Sequence, residues 1–178
     1  MRDALTIIGN KFLNVVADEN KRERSKIRDG HYPFIPLNPD QALEQIQLVY
    51  SLMNEEESDR RKLLTFLDVG CGIGNIMALA ENVGFVPYGL EYDEKLMKRA
   101  LYPYKITRNF TFPTDTWGSN GQILVKDAFD FQQYDLFDVI YFYCPMSDHG
   151  QQQKLEQLIE SQVKIGAYLI CNLKQDRT

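Results

Sequence analysis

The sequence contains few cysteines and histidines, which limits metal and disulfide chemistry. Its three cysteines, Cys71, Cys144 and Cys171, cannot all pair within one chain and lie in apolar stretches, so we expect reduced thiols. The two histidines, His31 and His149, are far apart, and no Cys or His pair has the spacing of metal ligands. No metal site is therefore predicted.

Long apolar runs and a strong positive charge are also missing. No stretch approaches the roughly 20 apolar residues of a membrane span, and no export signal is recognised, so we expect a cytoplasmic protein without a membrane partner. The 178 residues, 44% of them hydrophobic, suffice for one globular core. A net charge of −5 argues against a wholly basic nucleic-acid binder. Lysine and arginine dominate residues 21–28, a pattern more typical of a solvated helix face.

The first part of the chain has two helical patterns separated by prolines. Apolar residues at helical spacing predict an N-terminal helical extension within residues 1–30, followed by the main domain over 31–178. Three prolines in residues 31–39 predict an extended connection. A second helix then begins at Pro39, with Asn38 as its cap, and ends in the acidic run 55–57.

From residue 63 onward, short apolar runs alternate with helical patterns, as in α/β proteins with a parallel sheet. The predicted strands are residues 63–69, 87–91, 122–126, 137–143 and 167–173. The predicted helices between them are residues 75–83, 93–101 and 151–163. Residues 102–121 form a long connection containing Pro, Thr, Asn and Gly, to which the sequence assigns no role.

A glycine-rich turn follows the first predicted strand and opens a helix. Residues 66–75 read FLDVGCGIGN. Glycines allow the backbone to approach a ligand closely, and the free amides of the helix start favour negative charge. A dinucleotide-binding fingerprint requires glycine where Asn75 stands. The turn instead has the form acid-x-Gly-x-Gly-x-Gly, beginning at Asp68.

Two further acids lie at predicted strand ends. Glu91 ends the second strand about 20 residues beyond the first glycine, a placement that can reach a ribose diol. Asp127 follows the third strand, at the edge where parallel sheets bind ligands. Either acid alone is more typical of a helix cap or a solvated charge, but the ordered set favours a ligand site.

Over about residues 32–173, these motifs resemble class I, Rossmann-fold methyltransferases that use S-adenosylmethionine. The resemblance implies a parallel sheet of strand order 3-2-1-4-5, with helices on both faces and N-terminal helices added. It also implies that S-adenosylmethionine is the cofactor and that Asp127 reads the adenine amino group. The residues expected to bind the cofactor are Asp68, Gly70, Cys71, Gly72, Gly74, Asn75, Glu91, Tyr92, Asp127, Ala128 and Tyr143.

The sequence departs from the family after the fifth predicted strand. Members usually add a helix and an antiparallel hairpin there, whereas only residues 174–178 follow. The sheet edge would then be covered by the N-terminal helices, by a second copy of the chain or by a partner chain. Residues 32–36 resemble a segment that closes over the cofactor in several members, and a packed linker is the alternative interpretation.

The methyl acceptor is less well defined by the sequence. The segment after the fourth strand, residues 141–150, lacks the Asn/Asp-Pro-Pro-aromatic motif of many amine methylators. The catalytic residue is unknown: the candidates are Tyr143, with an ordinary strand residue as the alternative, and His149. Asp148 beside it is more typical of a helix cap.

The leading functional hypothesis is methyl transfer to a nitrogen or oxygen nucleophile on a protein or small molecule. The fold does not determine the acceptor. Two alternatives remain: a degenerate domain that serves as a binding or assembly module, and an RNA or DNA methylase that grips the nucleic-acid backbone with residues 21–28.

Overall fold

The computed structural model describes residues 39–56, 63–97, 104–112 and 121–172. In chain order, its regular elements are α1 (Pro39–Glu56), β1 (Thr65–Val69), α2 (Asn75–Val83), β2 (Val86–Glu91), α3 (Glu94–Met97), β3 (Lys105–Thr107), β4 (Gln122–Val125), β5 (Val139–Tyr143), α4 (His149–Gln162) and β6 (Tyr168–Asn172). Two 3-10 turns, Ala128–Asp130 and Tyr134–Leu136, connect β4 to β5. The predicted N-terminal helix, the basic run 21–28, Asn38 and the segment 32–36 lie outside the described residues.

The strands form one parallel sheet in the order β3-β4-β2-β1-β5-β6. The five predicted strands occur within two residues of their expected ends. In the labels of the structure, the five predicted strands are β1, β2, β4, β5 and β6. They lie in the order β4-β2-β1-β5-β6, which confirms the predicted order 3-2-1-4-5 and places β1 beside both β2 and β5. Ligands of such sheets bind where the strand order reverses, at the carboxyl ends of β1 and β5.

The predicted number of strands, five, was wrong, because the described part of the chain contains six. The extra strand, β3, lies inside the predicted connection 102–121 and pairs with β4 at the sheet edge, Lys105 opposite Gln122. Strand β3 has three residues, two of them exposed, so the sequence shows no alternation of apolar and polar residues from which it could be predicted. Its extended form depends on the backbone groups that β4 offers.

The predicted helices are present with small shifts of their ends. Helix α1 begins at Pro39 as predicted, and α2 has the predicted bounds. Helix α4 starts at His149, two residues before the expected position, because the Asp148 side chain accepts the amide of Gln151 and caps it. In the predicted helix 93–101, the structure describes α3 up to Met97, and residues 98–101 lie outside the described part.

Two apolar layers cover the sheet, one on each face. Helices α1 and α2 pack on the face that carries Phe66, Tyr141 and Ile170. On the other face, α4 packs through Leu155 and Ile159. Strand side chains alternate between the faces, so neighbouring residues of β1 enter different layers.

The connection 104–112 contributes to the second layer. The rings of Phe110 and Phe112 lie 5.1 and 5.0 Å from the ring of Tyr88, and Phe110 also contacts Phe137 at 5.9 Å. The Gln122 side chain exchanges hydrogen bonds with Thr111, including one of 2.6 Å from its amide nitrogen to the Thr111 carbonyl. This stretch therefore closes the aromatic core beneath β2.

Within the described ranges, the structure has no antiparallel strand pair, no helix able to span a membrane and no cluster of metal ligands. Every strand pair there is parallel, and residues 173–178, where the family's hairpin would begin, lie outside them. Within those ranges, no helix has the length and apolarity needed to cross a membrane. The same residues contain no group of three or more His, Cys, Asp or Glu side chains that could hold a metal ion.

Candidate functional site

The glycine turn lies between the end of β1 and the start of α2. The amides of Gly70 and Cys71 both donate to the carbonyl of Leu90, each at 2.9 Å, which ties the turn to the end of β2. Gly70, Gly72 and Gly74 have φ values of +79°, +57° and +82°, in the left-handed region that residues with side chains rarely adopt. The glycines are therefore required by this backbone path.

Glu91 fastens the turn through its carboxylate. One carboxylate oxygen accepts the amide of Gly72 at 2.8 Å, and the other accepts the amide of Asp93 at 2.8 Å. Burial raises the pKa of Glu91, an effect that the amides of Asp93, Gly72 and Tyr92 oppose and the charge of Asp93 reinforces. A carboxylate has about four acceptor positions, so acceptor capacity remains for ligand hydroxyls.

Asp68 lies beneath the turn with 3% of its surface exposed. No group in the described part of the chain is placed to hydrogen bond with its Oδ2 atom. Burial raises the pKa of this carboxyl group well above its ordinary value, and the charge of Glu91 adds to the shift. Two acids thus lie close together at the carboxyl ends of adjacent strands.

The remaining turn residues are packed to different degrees. Cys71 is buried, and burial followed by the charges of Asp68 and Glu91 raises the pKa of its thiol. Its sulfur would lie 2.5 Å from a Cβ atom at Gly89, so β2 needs a glycine at that point. Asn75 is the first residue of α2, and Tyr92 follows Glu91 with 60% of its surface exposed.

The third acid lies after β4. The Asp127 side chain accepts the amide of Phe129 at 2.9 Å and caps the 3-10 turn that follows, as the alternative interpretation of this residue expects. The Ala128 carbonyl accepts the hydroxyl of Tyr134 at 2.7 Å. Both residues are partly exposed at the same edge of the sheet as Glu91, since β2 and β4 are adjacent and parallel.

The segment after β5 meets the glycine turn. Tyr143, the last residue of β5, is partly buried against the layer of α1. Cys144 and Met146 are buried, and the Cβ of Pro145 lies 3.1 Å from where a Cβ of Gly70 would be. The structure therefore brings the post-β5 segment beside the cofactor candidates.

The two catalytic candidates differ in position. Tyr143 stands at the strand end, in register with Asn172 of β6. His149 is exposed at the first position of α4, beyond the cap Asp148. The structure thus groups Tyr143 with the other site residues and leaves His149 on the surface.

Sequence reasoning missed a polar row beside Asp68 on the α1 face. Tyr141 is the register partner of Asp68, and burial followed by the charges of Asp68 and Tyr143 raises the pKa of its phenol. The row continues to Asn172, whose side-chain oxygen accepts from Gln45 of α1 at 3.0 Å. The signal in the sequence was the position of Tyr141, two residues before Tyr143 on the same face of the strand.

The residues present fit the cofactor that the sequence predicts. The glycine backbone admits close approach, Glu91 keeps acceptor capacity, and Asp68 Oδ2 is a buried acceptor with no partner in the described chain. These are groups that a nucleoside with an amino-acid tail can satisfy.

The chain is similar to solved structures of methyltransferases. A sugar N-methyltransferase from a Streptoalloteichus species gives a TM-score of 0.51 at 17% identity, covering 75% of this chain and 48% of that one. The plantazolicin methyltransferase BpumL in complex with SAH gives 0.49 at 12% identity, with coverage of 85% and 48%. A SAM-dependent methyltransferase from Archaeoglobus fulgidus gives 0.45 at 17% identity, with coverage of 70% and 51%.

No protein-family model and no curated protein sequence matches the chain. The chain spans about half the length of the solved structures named above. The likeness to the first of them agrees with the strand order of the described residues. The protein therefore has the Rossmann-like fold of class I methyltransferases.

Proposed function

We propose that the protein transfers a methyl group from S-adenosylmethionine to a nitrogen or oxygen nucleophile on a protein or small molecule. The observation that carries the proposal is Glu91, whose carboxylate is fixed at the end of β2 by the amides of Gly72 and Asp93. A carboxylate held in this way is preorganised to accept the two hydroxyls of a ribose.

The donor side of the site follows the carboxyl ends of β1, β2 and β4. Glu91 would hold the ribose, the turn Gly70 to Gly74 would support the amino-acid tail, and Asp127 with Ala128 would border the adenine, because β1, β2 and β4 are adjacent and parallel. Tyr92, largely exposed beside Glu91, offers an aromatic face to the base. When bound, the cofactor supplies an activated methyl group on a sulfonium.

The acceptor side is assigned to the segment after β5. Methyl transfer is an in-line displacement, so alignment in a water-poor pocket supplies much of the acceleration. Tyr143, Pro145 and the buried Cys144 and Met146 provide such a wall beside Gly70. A dedicated base is optional in this scheme, and the exposed position of His149 favours alignment by Tyr143 over proton abstraction.

Calorimetric titration of the full chain tests the cofactor. We expect S-adenosylmethionine and S-adenosylhomocysteine to bind and nicotinamide dinucleotides not to bind, because Asn75 stands where their fingerprint requires glycine. Tight binding of a nicotinamide dinucleotide, with no binding of S-adenosylmethionine, would overturn the proposal.

The acceptor class is tested by labelling a cell extract with methyl-tritiated S-adenosylmethionine and the purified chain, then separating proteins, nucleic acids and small molecules. Label in proteins or small molecules is the expected result. Label in nucleic acid would favour the RNA or DNA methylase. Cofactor binding without label in any fraction would favour a binding or assembly module.

A further inference from the structure

Helix α4 buries two polar side chains where apolar ones would pack. Gln152 and Glu156 lie one helical turn apart, and both have 0% of their surface exposed. They share the buried side of the helix with Leu155 and Ile159. Glutamate is almost never fully buried without a partner, and burying such groups costs free energy. Packing alone therefore does not account for this pair.

The two side chains form a chain of hydrogen bonds that ends on the backbone after β5. The amide of Met146 donates to Gln152 Oε1 at 3.1 Å, and Gln152 Nε2 donates to Glu156 Oε1 at 2.9 Å. A carboxylate only accepts hydrogen bonds, so the Glu156 carboxylate orients the NH2 group of Gln152 toward itself. The amide oxygen of Gln152 is then directed at Met146. Glu156 thus determines which end of the Gln152 amide meets the backbone.

That backbone is under strain. Cys144 has φ of +42°, and it is the one non-glycine residue with positive φ in the described part of the chain. The residue before a proline is further restricted, so Pro145 adds to the cost of this conformation. The Cys144 thiol also donates to the Met146 carbonyl at 3.8 Å. A strained turn of this kind persists only when its surroundings hold it.

The held turn contacts the cofactor candidates. Pro145, between Cys144 and Met146, has its Cβ 3.1 Å from where a Cβ of Gly70 would lie. A change in the path of residues 144–146 would therefore alter the wall beside the glycine turn.

We propose that Gln152 and Glu156 are positioning residues, which hold the Cys144–Pro145–Met146 turn against Gly70. The link to catalysis rests on the proposed function, whereas the link to the turn is a property of the free protein. The two can therefore be tested separately.

Amide hydrogen exchange at Met146, followed by NMR on the free chain, reports the hydrogen bond directly. Gln152→Glu brings two carboxylates together, and we expect the protection of Met146 to fall about fivefold or more. The double variant Gln152→Glu with Glu156→Gln should restore it to within about twofold, because the carboxylate at position 152 can accept from both Met146 and the new amide. Gln157→Glu, the same change at an exposed position of α4, is the matched control.

Glu156→Leu separates positioning from plain stability and is also available if Gln152→Glu does not fold. Glu156→Leu removes a buried carboxylate whose Oε2 has no partner among the described residues, but it also leaves Gln152 Nε2 without its acceptor. These two effects on stability oppose each other, so we expect the melting temperature to change little. We nevertheless expect Met146 protection to fall about fivefold, because nothing then orients the Gln152 amide. Unchanged protection in folded Glu156→Leu, or a double variant no better protected than Gln152→Glu, would overturn the inference.

Titration with S-adenosylhomocysteine then connects the turn to the proposed function. Binding should weaken in Gln152→Glu and Glu156→Leu, recover in the double variant and stay unchanged in Gln157→Glu. If the unaltered chain binds no S-adenosylhomocysteine, the proposed function fails while the exchange result still decides the positioning of the turn.

Discussion

The two ends of the sheet shift the pKa of a buried carboxyl group in opposite directions. At the amino end, Asp138 before β5 accepts the amide and hydroxyl of Thr65 at 2.8 and 2.9 Å, and it pairs with the Lys164 ammonium at 2.6 Å. Burial acts to raise the pKa of Asp138, but the bonds from Lys164 and Thr65 outweigh it and hold the pKa below its ordinary value. This carboxylate is stabilised in its charged form.

At the carboxyl end, burial dominates instead. The pKa of Asp68 is raised by burial and then by Glu91, and no cation lies among the causes of its shift. Asp68 Oδ2 also lacks a hydrogen-bond partner among the described residues. Carboxylates whose partners are complete stabilise a fold, whereas those left desolvated and incomplete are typical of ligand sites. The comparison therefore assigns a stabilising role to Asp138 at the amino end and supports the proposal of a ligand site at the carboxyl end.

The largest expected effect is a loss of stability when Asp138, at the amino end of the sheet, is replaced. Asp138→Ala leaves two groups of Thr65 and the Lys164 ammonium without their acceptor, so we expect a loss of about 3 kcal/mol in the free energy of unfolding. Urea unfolding measures it. Asp135→Ala, at an exposed acid three residues earlier, should change stability by less than about 0.5 kcal/mol. Equal effects of the two changes would contradict the assignment.

The next effect concerns binding. In Glu91→Gln, one carboxylate oxygen becomes an NH2 group, which faces a backbone amide and can no longer accept from a ribose hydroxyl. We expect S-adenosylhomocysteine to bind more than tenfold more weakly, because a hydrogen bond to a charged group contributes about 1.5 to 3 kcal/mol. Calorimetry measures this, with Glu94→Gln as the exposed control. Normal melting and equal binding would show that Glu91 is misassigned.

The smallest effect is the pH dependence of Asp68. Because its pKa is raised in the folded state, the ionised carboxylate lowers stability as pH rises through that value. Asp68→Asn removes the charge and should stabilise the protein by about 1 kcal/mol at pH 8, with no gain below the unfolded pKa of about 3.9. Urea unfolding across pH measures the difference, and a gain that does not vary with pH would contradict the desolvation of Asp68.

Asp138 should show the opposite slope in the same experiment. Its pKa is lowered in the folded state, so its contribution is full well above pH 3.9 and is lost as pH falls through the folded value. The stability difference between the unaltered chain and Asp138→Ala should therefore shrink in acid. A difference that persists there would mean that the Lys164 pair is not its source.

Much of the candidate site could be predicted because its signals are local in sequence. The strand, the glycine turn and the start of α2 lie within ten residues, and the turn demands glycine wherever its φ is positive. Helix α2 has the predicted bounds since Gly74 precedes it and Gly84 follows it. The positions of Glu91 and Asp127 at strand ends could be predicted because strand ends can be recognised from apolar runs.

What the sequence by itself determined, then, is the series of strands and helices and the residue types at the strand ends. Only the tertiary structure decided which polar residues are buried, because burial depends on elements far apart in the chain. Asp138 meets Thr65 across 73 positions, and β3 becomes a strand only beside β4. In the sequence, Gln152 and Glu156 look like ordinary polar residues of a helix. They are buried because α4 packs on the sheet. Periodicity gives the face of a helix, whereas desolvation is set by what covers that face.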